Sequence, residues 1–382
     1  MTTTKNNEHK KLNAPNLRFK EFQGEWEELG LSELLDFKNG LNPKPDKFGK
    51  GIKFISVMDI LNNAVITYDC IKASVDVTEK ELSDFSVEKG DILFQRSSET
   101  LEDVGRANVY MDDNTAVFGG FVIRGKKKGE YDPQYFNYLL RSPFARKRII
   151  PMGAGAQHFN IGQEGLSKVK LHFANIEEQK KIGKMLSLLD ERIATQNKII
   201  DKLQSLIKGL RNQLFNNDKD WRIAKIRELL CIGNGKDYKH LGIGDIPVYG
   251  TGGKMLSVND YLYDGDSVCI GRKGTIDTPL FLTGKFWTVD TLFYTYGFKD
   301  ILPKFCYYLF KQINWQLYNE GTVVPSLSKS TVENIKVRIP SIIQQHKICY
   351  ILDCYEDKIK SEGLILDLYC SQKQYLLRQM FV

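Results

Sequence analysis

Residues 177–215 form a proline-free stretch, EEQKKIGKMLSLLDERIATQNKIIDKLQSLIKGLRNQLF, whose apolar residues recur in alternating steps of four and three. Nine of the ten positions in this heptad seam are apolar, and Gln196 is the polar exception. The apolar members are Ile182, Leu186, Leu189, Ile193, Ile200, Leu203, Ile207, Leu210 and Leu214. A seam of this length predicts one long helix that packs its apolar stripe against another helix.

A second seam occupies the last part of the chain. Glu362 stands where Gln196 stands in the first seam, and Lys373 is a further polar interruption. The apolar members are Ile348, Leu352, Tyr355, Ile359, Leu366, Tyr369, Leu376 and Met380. We expect the two helices to pack on each other in antiparallel fashion, each about 57 Å long at 1.5 Å per residue. The alternative is that each seam forms ordinary core or pairs with another protein.

The two seams belong to an internal repeat, which is the most informative feature of the sequence. Six identities share an offset of 195 residues, pairing Trp26, Glu33, Leu34, Leu35, Asn39 and Gly40 with Trp221, Glu228, Leu229, Leu230, Asn234 and Gly235. The offset falls to 175 at Gly90-Asp91 and Gly265-Asp266, and to 166 in the helices. The first copy is therefore longer, mostly between Asn39 and Asp91. Two copies that share a frame and differ inside it suit a chain with two different recognition surfaces.

Each copy begins with short apolar or alternating runs bounded by glycine and turn residues, which predict strands. Pro133 and Pro303 each open a predicted short helix, because proline suits the first helical position. The predicted fold class is α+β: two mixed α/β domains joined by two long antiparallel coiled-coil helices in a pseudo-two-fold internal repeat. The predicted boundaries are a flexible N-terminal tail at 1–15, a first domain at 16–175, a central long helix at 176–216, a second domain at 217–340 and a C-terminal long helix at 341–382.

The amino-acid composition excludes several classes of protein. The 382 residues carry a formal net charge of +7, which is compatible with a polyanionic partner without requiring one. The seven cysteines form no Cys-x-x-Cys pair, so we expect reduced and mostly buried thiols rather than disulfides or a metal site. No apolar run is long enough for a secretory signal or a membrane span. These features predict a cytoplasmic protein.

The sequence lacks the motifs of a nucleic-acid enzyme. We find no Asn-Pro-Pro-aromatic or Asp-Pro-Pro-aromatic segment and no glycine-rich cofactor turn between a strand and a helix. Gly250-Thr-Gly-Gly-Lys lacks the spacing of a Walker loop, and Met255 stands where Ser or Thr is needed. Lone acids such as Glu33 and Asp91 are interpreted as structural. We predict no catalytic residue and no metal ligand in the chain.

Two pairs of loops carry groups suited to DNA, one pair after the Gly-Asp strand and one before the last strand of each copy. They combine cations for phosphate contacts with amide, imidazole and hydroxyl groups that can read base edges. The candidate DNA-binding residues are Arg96, Ser97, Gln157, His158, Asn160, Lys254, Arg272, Lys273, Thr275, Ser326 and Lys329. The alternative is that these are solvated basic turns or turns that only hold the following strand.

The order of these features resembles the specificity subunits of type I restriction–modification systems. The typical segments are Asn16-Leu-Arg-Phe with Trp26, Ile176-Glu-Glu-Gln-Lys-Lys-Ile, Gly265-Asp-Ser-Val-Cys-Ile-Gly-Arg-Lys-Gly-Thr-Ile, and Gly321-Thr-Val-Val-Pro-Ser-Leu-Ser-Lys-Ser with Gln345. The resemblance covers residues 16–382. The first copy departs from it, because Gln95-Arg-Ser-Ser replaces the glycine-rich turn of the second, so the DNA contacts of the first domain are less defined.

The resemblance implies two target-recognition domains that bind a split sequence in double-stranded DNA, with the helices setting the gap. It also implies two modification subunits that methylate adenine with S-adenosylmethionine and two restriction subunits driven by ATP with Mg²⁺. This chain would itself be a non-catalytic subunit without cofactors. Two rivals stay open: a specificity module of a methylation-only system, and a two-headed protein-binding scaffold that recognises no DNA.

Overall fold

A computed structural model describes residues 13–216 and 221–382, which fall into two compact units. Unit 1 contains the described residues up to 197 together with 365–382, and unit 2 contains those from 198 to 364. Most of the predicted N-terminal tail lies outside the described residues, as do the first four positions of the predicted second domain.

Unit 1 is a mixed α/β unit. Its strands are β1 Glu27–Gly30, β2 Leu35–Asn39, β3 Phe48–Ile55, β4 Ser74–Val75, β5 Ser86–Val87, β6 Ile92–Gln95, β7 Ser97–Ser98, β8 Ala107–Val109, β9 Ala116–Phe118, β10 Val122–Lys127, β11 Phe159–Asn160 and β12 Lys170–Phe173. Its helices are α1 Leu31–Leu34, α2 Val57–Asn62, α3 Glu79–Phe85, α4 Pro133–Arg141, α5 Pro143–Ile149, α6 Gln163–Ser167 and the first part of α7 Ile176–Asn216. Short 3₁₀ turns occupy Pro45–Lys47, Tyr68–Cys70, Leu101–Asp103 and Ile150–Met152.

Unit 2 has the same kind of composition. Its strands are β13 Arg222–Lys225, β14 Cys231–Asn234, β15 Ile243–Gly250, β16 Gly253–Val258, β17 Tyr263–Asp264, β18 Ser267–Gly271, β19 Leu280–Leu282, β20 Lys285–Thr288, β21 Leu292–Tyr296 and β22 Lys336–Ile339. Its helices are α8 Ile226–Leu229, α9 Pro303–Phe310, α10 Lys329–Asn334 and the first part of α11 Ile342–Gln379, with a 3₁₀ turn at Trp315–Tyr318.

Three sheets of unit 1 recur in unit 2 with the same strand order, whereas the short β7–β11 pair of unit 1 corresponds to the single bridge between Lys273 and Ser326. The orders β2-β10-β6-β8, β4-β3-β9-β5 and β1-β12 in unit 1 correspond to β14-β21-β18-β19, β16-β15-β20-β17 and β13-β22 in unit 2. Each unit has one parallel pair at the same place, with Phe54 beside Val117 in unit 1 and Val248 beside Trp287 in unit 2. The predicted α+β class and internal repeat are therefore confirmed.

The extra length of the first copy has a definite location. Between β3 and β6 unit 1 contains the helices α2 and α3, whereas unit 2 continues from β15 into the β15–β16 hairpin. Asn108 fastens α2 to the sheet, because its side-chain amide donates to the carbonyls of Ile60 (3.0 Å) and Asn63 (2.8 Å). The additional residues of the first copy thus form helices that lie beside the turn that follows β6.

Both predicted long helices form, and each contributes to both units. In unit 1, Ile182 and Leu186 near the start of α7 share a core with Leu376 near the end of α11. In unit 2, Leu352 near the start of α11 shares a core with Leu210 near the end of α7. Within each unit the two helices therefore run antiparallel, as predicted.

Burial along the helices follows the predicted seams. Ile182, Leu186, Leu189, Ile348 and Leu352 are buried. Ile193, Ile200, Leu203, Ile207, Ile359 and Leu366 are half-buried between more exposed neighbours. The polar seam residues Gln196 and Glu362 are buried as well.

A glutamine in the first turn of each long helix ties the helix to its unit. Gln179 Oε1 accepts a hydrogen bond from the backbone N–H of Asp132 (3.0 Å), the N-cap of α4. Gln345 Oε1 accepts one from the N–H of Leu302 (2.8 Å), the N-cap of α9. Both glutamines are buried, so each bond fixes the start of the long helix against the start of α4 in unit 1 or of α9 in unit 2.

The repeated tryptophans close the two cores. Trp26 packs edge-on against Tyr135 and Phe381, with ring centroids 6.0 and 6.3 Å apart. Trp221 packs in the same way against Phe215 (5.9 Å) and Phe305 (6.1 Å). Each tryptophan thus anchors the end of a long helix to the start of a unit.

The cysteines depart partly from expectation. All seven are free thiols, but only Cys269, Cys306 and Cys349 are buried. The expectation that most are buried is wrong, because Cys354 and Cys370 lie outside the seam of α11 and face solvent.

Candidate DNA interface

In unit 1 the turn after β6 is held between two other loops. The backbone N–H of Arg96 donates to the carbonyl of Phe121 (2.9 Å), and the Arg96 carbonyl accepts from the N–H of Ile161 (2.9 Å). The next residue, Ser97, pairs with Asn160 across β7 and β11, and its hydroxyl donates to the Asn160 side-chain oxygen. The predicted residues Arg96, Ser97 and Asn160 therefore lie together.

Unit 2 holds its turn through the same backbone contacts. Arg272 N–H donates to the carbonyl of Thr291 (2.7 Å), and its carbonyl accepts from the N–H of Leu327 (2.9 Å). Lys273 forms a bridge with Ser326, as Ser97 does with Asn160. We call these two segments, 95–98 and 271–275, the arginine turns.

The two arginine turns are equivalent although their sequences differ. Gly271 in unit 2 has no room for a Cβ atom, which would lie 2.0 Å from the carbonyl oxygen of Thr275. At the matching place in unit 1, the Gln95 side chain donates to the carbonyl of Ser97 (2.9 Å). The two turns therefore share the backbone contacts of their arginine but differ locally: a side-chain hydrogen bond stabilises the first, whereas the second contains a close backbone approach that glycine permits.

The arginine turn of unit 2 opens onto a cavity of about 330 Å³. Four predicted residues line it: Arg272, Lys273, Ser326 and Lys329. Lys329 also forms an ion pair with Glu333 (3.7 Å) one turn along α10. The cavity therefore combines three cations with a hydroxyl group, a set able to contact phosphates and base edges.

Two further predicted residues of unit 2 lie outside this cavity. Lys254 is exposed at the start of β16, close to the tip of the β15–β16 hairpin. Thr251 in that tip approaches the arginine turn, since its Oγ1 lies 3.8 Å from where a Cβ on Gly274 would stand. Thr275 is exposed on the turn itself.

Gln157 and His158 of unit 1 are exposed in the loop between the 3₁₀ turn Ile150–Met152 and β11. The loop is closed by reciprocal backbone hydrogen bonds between Ala154 and Asn160 (2.8 and 2.9 Å). These two side chains are accessible to a ligand, but no contact joins them to Arg96.

Glu320 is a residue of the unit 2 cavity that the sequence reasoning missed. Its carboxylate accepts hydrogen bonds from the hydroxyls of Thr331 and Ser328, which lower the pKa of Glu320 below its ordinary value. A carboxylate that stays ionised among Arg272 and Lys273 can accept from a base amino group and repels phosphate. Glu320 is far from the arginine turn in the sequence, so no local sequence pattern indicates that the two lie together.

Phe121 is the corresponding omission in unit 1. Its carbonyl holds Arg96, while its ring stands largely exposed at the turn between β9 and β10. An exposed aromatic residue beside a cation is unusual at a solvated turn and typical of a contact surface.

The lone acids interpreted as structural have structural contacts. Asp91 is buried, and its carboxylate accepts from the backbone N–H groups of Glu88 (3.0 Å) and Lys127 (3.0 Å). Burial raises the pKa of the Asp91 carboxyl, and the two hydrogen bonds oppose that shift. Glu33 accepts from the N–H of Gly30 (2.7 Å) and caps α1.

The chain matches the family model described as type I restriction modification DNA specificity domain twice, at residues 23–205 and 218–367. The type I restriction enzyme MjaVIII specificity subunit of Methanocaldococcus jannaschii is 22% identical over 424 residues, covering 94% of this chain and 92% of that one. A second protein of that organism, provisionally assigned as the MjaX specificity subunit, is 24% identical over 403 residues and covers 92% of each chain.

Solved structures support the same fold. A crystal structure of a type I restriction–modification S subunit from M. genitalium superposes with a TM-score of 0.63 at 19% identity, covering 97% of this chain and 99% of that one. A chain from a study of assembly and conformational transition in a type I system gives 0.59 at 12% identity, covering 92% and 96%.

Among the residues that the structure describes, no helix is both long and apolar enough to cross a membrane. The two matched domains coincide with the repeated sheets and arginine turns of the two units. The chain belongs to the type I restriction–modification DNA specificity family: it is a non-catalytic specificity subunit with two target-recognition domains.

Proposed function

We propose that each unit reads one half of a split DNA sequence through its arginine turn and the loops beside it. The observation that carries this proposal is the repeated backbone setting of Arg96 and Arg272, which presents one cation at the same place in two otherwise different surfaces. A shared frame can dock on any duplex through phosphates, while the differing side chains select the bases.

The neighbouring groups suit that division of labour. In unit 2, Lys273 and Lys329 flank Arg272 and can neutralise phosphates. In unit 1, the Ser97 hydroxyl donates to the Asn160 side-chain oxygen, and the Asn160 amide nitrogen donates to the carbonyl of His158 (3.4 Å). The Ser97 oxygen as an acceptor and the second amide hydrogen of Asn160 as a donor are left to read base edges.

We further propose that the long helices recruit two modification subunits and, in a complete system, two restriction subunits. Both helices carry large apolar side chains that are more than half exposed, which is typical of protein interfaces. These are Leu206, Ile343, Tyr350, Leu364, Leu368 and Tyr375. S-adenosylmethionine, ATP and Mg²⁺ would bind those partners, and the complex would act in the cytoplasm on cellular DNA.

The helices would also set the distance between the half-sites. Inserting one matched heptad into α7 and α11 adds about 10 Å of helix, equivalent to about three base pairs of DNA. We expect the gap to lengthen by that amount while both half-sites stay unchanged. Seven residues inserted at the exposed loop residue Gly284 are the control and should leave the gap as it is. A change in the half-sites themselves would contradict this role of the helices.

The decisive experiment is to co-express the chain with its candidate modification subunit in a methylation-free host and map modified adenines across the genome. We expect a split motif, two short halves around a fixed gap. Replacing Arg96 with Ala should weaken or relax one half, and replacing Arg272 with Ala the other. A stable complex with no modified motif would favour the protein-binding scaffold. The composition of the complex purified from its own cells distinguishes a restriction system from a methylation-only system.

A further inference from the structure

An apolar pocket of about 440 Å³ lies directly beside the arginine turn of unit 1. The side chains that define it are Phe48, Phe54, Val57, Met58 and Phe121, with Ser97 of the turn at its margin. We call it the Phe121 pocket. Because Ser97 lines the pocket and also pairs with Asn160, the pocket is continuous with the proposed DNA interface.

The pocket is open to ligands rather than part of the core. Phe121 is 69% exposed, Met58 59% and Phe48 43%, whereas Phe54 at the base is buried. Three large apolar side chains left in solvent around one concavity are costly unless another molecule covers them.

The pocket is also rigid. The Phe121 carbonyl accepts from Arg96 N–H, and Val122 N–H closes the turn on the carbonyl of Gly119 (2.8 Å). A Cβ on Gly119 would lie 2.6 Å from the Phe54 ring, and one on Gly120 would lie 1.9 Å from the side chain of Asn42. A larger residue at either place would have to displace the Phe54 ring or the Asn42 side chain, so the turn packs closely against its surroundings beside Phe121.

The described residues of unit 2, 198–216 and 221–364, lack the elements that build this pocket. Thr291 takes the place of Phe121, as the matching backbone hydrogen bonds to Arg272 and Arg96 demonstrate. Val57 and Met58 belong to α2, which lies in the segment that lengthens the first copy. The pocket is therefore a property of the first domain alone, as a determinant of one half-site should be.

The rim of the pocket carries positive charge. Arg96 lies on one side, with its Nη1 3.3 Å from the carbonyl of Gly120. The exposed Lys44 directly follows Pro43 of the lining in the sequence. An apolar concavity with a cationic rim matches the major-groove edge of an A·T pair, where an apolar methyl group lies between two phosphate backbones. An apolar protein partner would require no such rim.

We propose that the Phe121 pocket receives the 5-methyl group of a thymine in the half-site read by unit 1, with Phe121 packed against it. This inference rests on the proposed function. The first domain would then recognise one base through an apolar contact with its methyl group, in addition to the polar contacts at the arginine turn.

The test uses the complex with its modification subunit and duplexes of the mapped target in which each thymine is replaced, one at a time, by deoxyuridine. Loss of one contacted methyl group should weaken binding by about fourfold. We expect this loss at one position of one half-site. Phe121→Thr, which installs the residue of the other unit, should weaken binding of the thymine duplex by a similar factor and abolish the difference between thymine and deoxyuridine.

Ile243→Thr is the matched control, because it also replaces an exposed apolar residue, here in β15, by threonine. It should preserve the deoxyuridine effect. The half-site of unit 1 is the one whose recognition changes in Arg96→Ala. Melting temperatures of both variants should equal that of the parent, since neither residue is buried.

Three outcomes would overturn the inference while the proposed function stands: no deoxyuridine effect in that half-site, an effect that persists in Phe121→Thr, or loss of subunit assembly instead of base discrimination. The last would identify the pocket as a protein contact. If the complex modifies no split motif and binds no sequence preferentially, the proposed function fails first, and this inference fails with it.

Discussion

Units 1 and 2 hold an arginine in the same backbone setting and surround it with different side chains. The N–H of Arg96 donates to the carbonyl of Phe121, whose ring is exposed. The N–H of Arg272 donates to the carbonyl of Thr291, and Arg272 shares a cavity with Glu320. Backbone hydrogen bonds do not depend on side-chain identity, so the position of the arginine survives divergence while its surroundings change. Under the proposed function, the shared frame fixes the position of the arginine against DNA, and the neighbouring side chains determine which bases are recognised.

The largest effect expected on either unit comes from its tryptophan. Trp26→Ala and Trp221→Ala each remove a buried ring that holds the end of a long helix, and we expect a loss of about 3–5 kcal/mol in the free energy of unfolding of the unit concerned. Hydrogen exchange of each unit measures the loss separately. Equal loss of protection in both units from a single substitution would contradict the assignment of each tryptophan to one core.

Arg18→Ala should distinguish the two units. Arg18 makes two 2.7 Å hydrogen bonds to the buried carboxylate of Glu178, whereas Gln344 stands at the matching place in unit 2 and is exposed. Leaving Glu178 buried and unpaired should cost about 3 kcal/mol. Denaturant unfolding checks this, and adding Glu178→Gln should restore part of the loss. A negligible change in the free energy of unfolding of Arg18→Ala would mean that water hydrates the Glu178 carboxylate when the arginine is absent.

The arginine turns should contribute alike to DNA binding. Arg96→Ala and Arg272→Ala should each lower the affinity of the complex for its target by about tenfold. A titration at several salt concentrations separates the roles, because loss of a phosphate contact reduces the salt dependence by about one ion and loss of a base contact does not. Very unequal losses would indicate that one turn does not meet DNA.

The smallest effect concerns Glu320, which has no charged counterpart among the lining residues of the Phe121 pocket. Glu320→Gln should raise non-specific DNA affinity a few-fold, because a carboxylate among the cations repels phosphate. The lowered pKa keeps Glu320 ionised from pH 8 down to pH 5, so the difference between parent and variant should be constant over that range. A difference that disappears toward pH 5 would show that the carboxylate is protonated there.

Much of the fold could be predicted because it depends on periodic patterns. The seams predict α7 and α11, and the offsets predict the repeated sheets. The patterns could not predict that each long helix contributes to both units, since a seam specifies an apolar stripe and not which residues share a core.

Less of the candidate site could be predicted. Arg96 and Arg272 follow a recognisable strand and turn, so local sequence finds them. Phe121 and Met58 lie far apart in the chain and meet only through the tertiary fold, and nothing in either segment signals that the side chain is exposed. An aromatic residue in an apolar strand region is ordinarily interpreted as core.

The contact of the N-terminal segment with the far end of α11 has a consequence for biosynthesis. Leu17 N–H donates to the carbonyl of Gln379 (2.9 Å), and Phe381 completes the core around Trp26. Unit 1 requires residues 365–382, which the ribosome makes only after the whole of unit 2. Unit 1 therefore cannot complete its aromatic core until unit 2 has been synthesised, and that core stays open in the meantime.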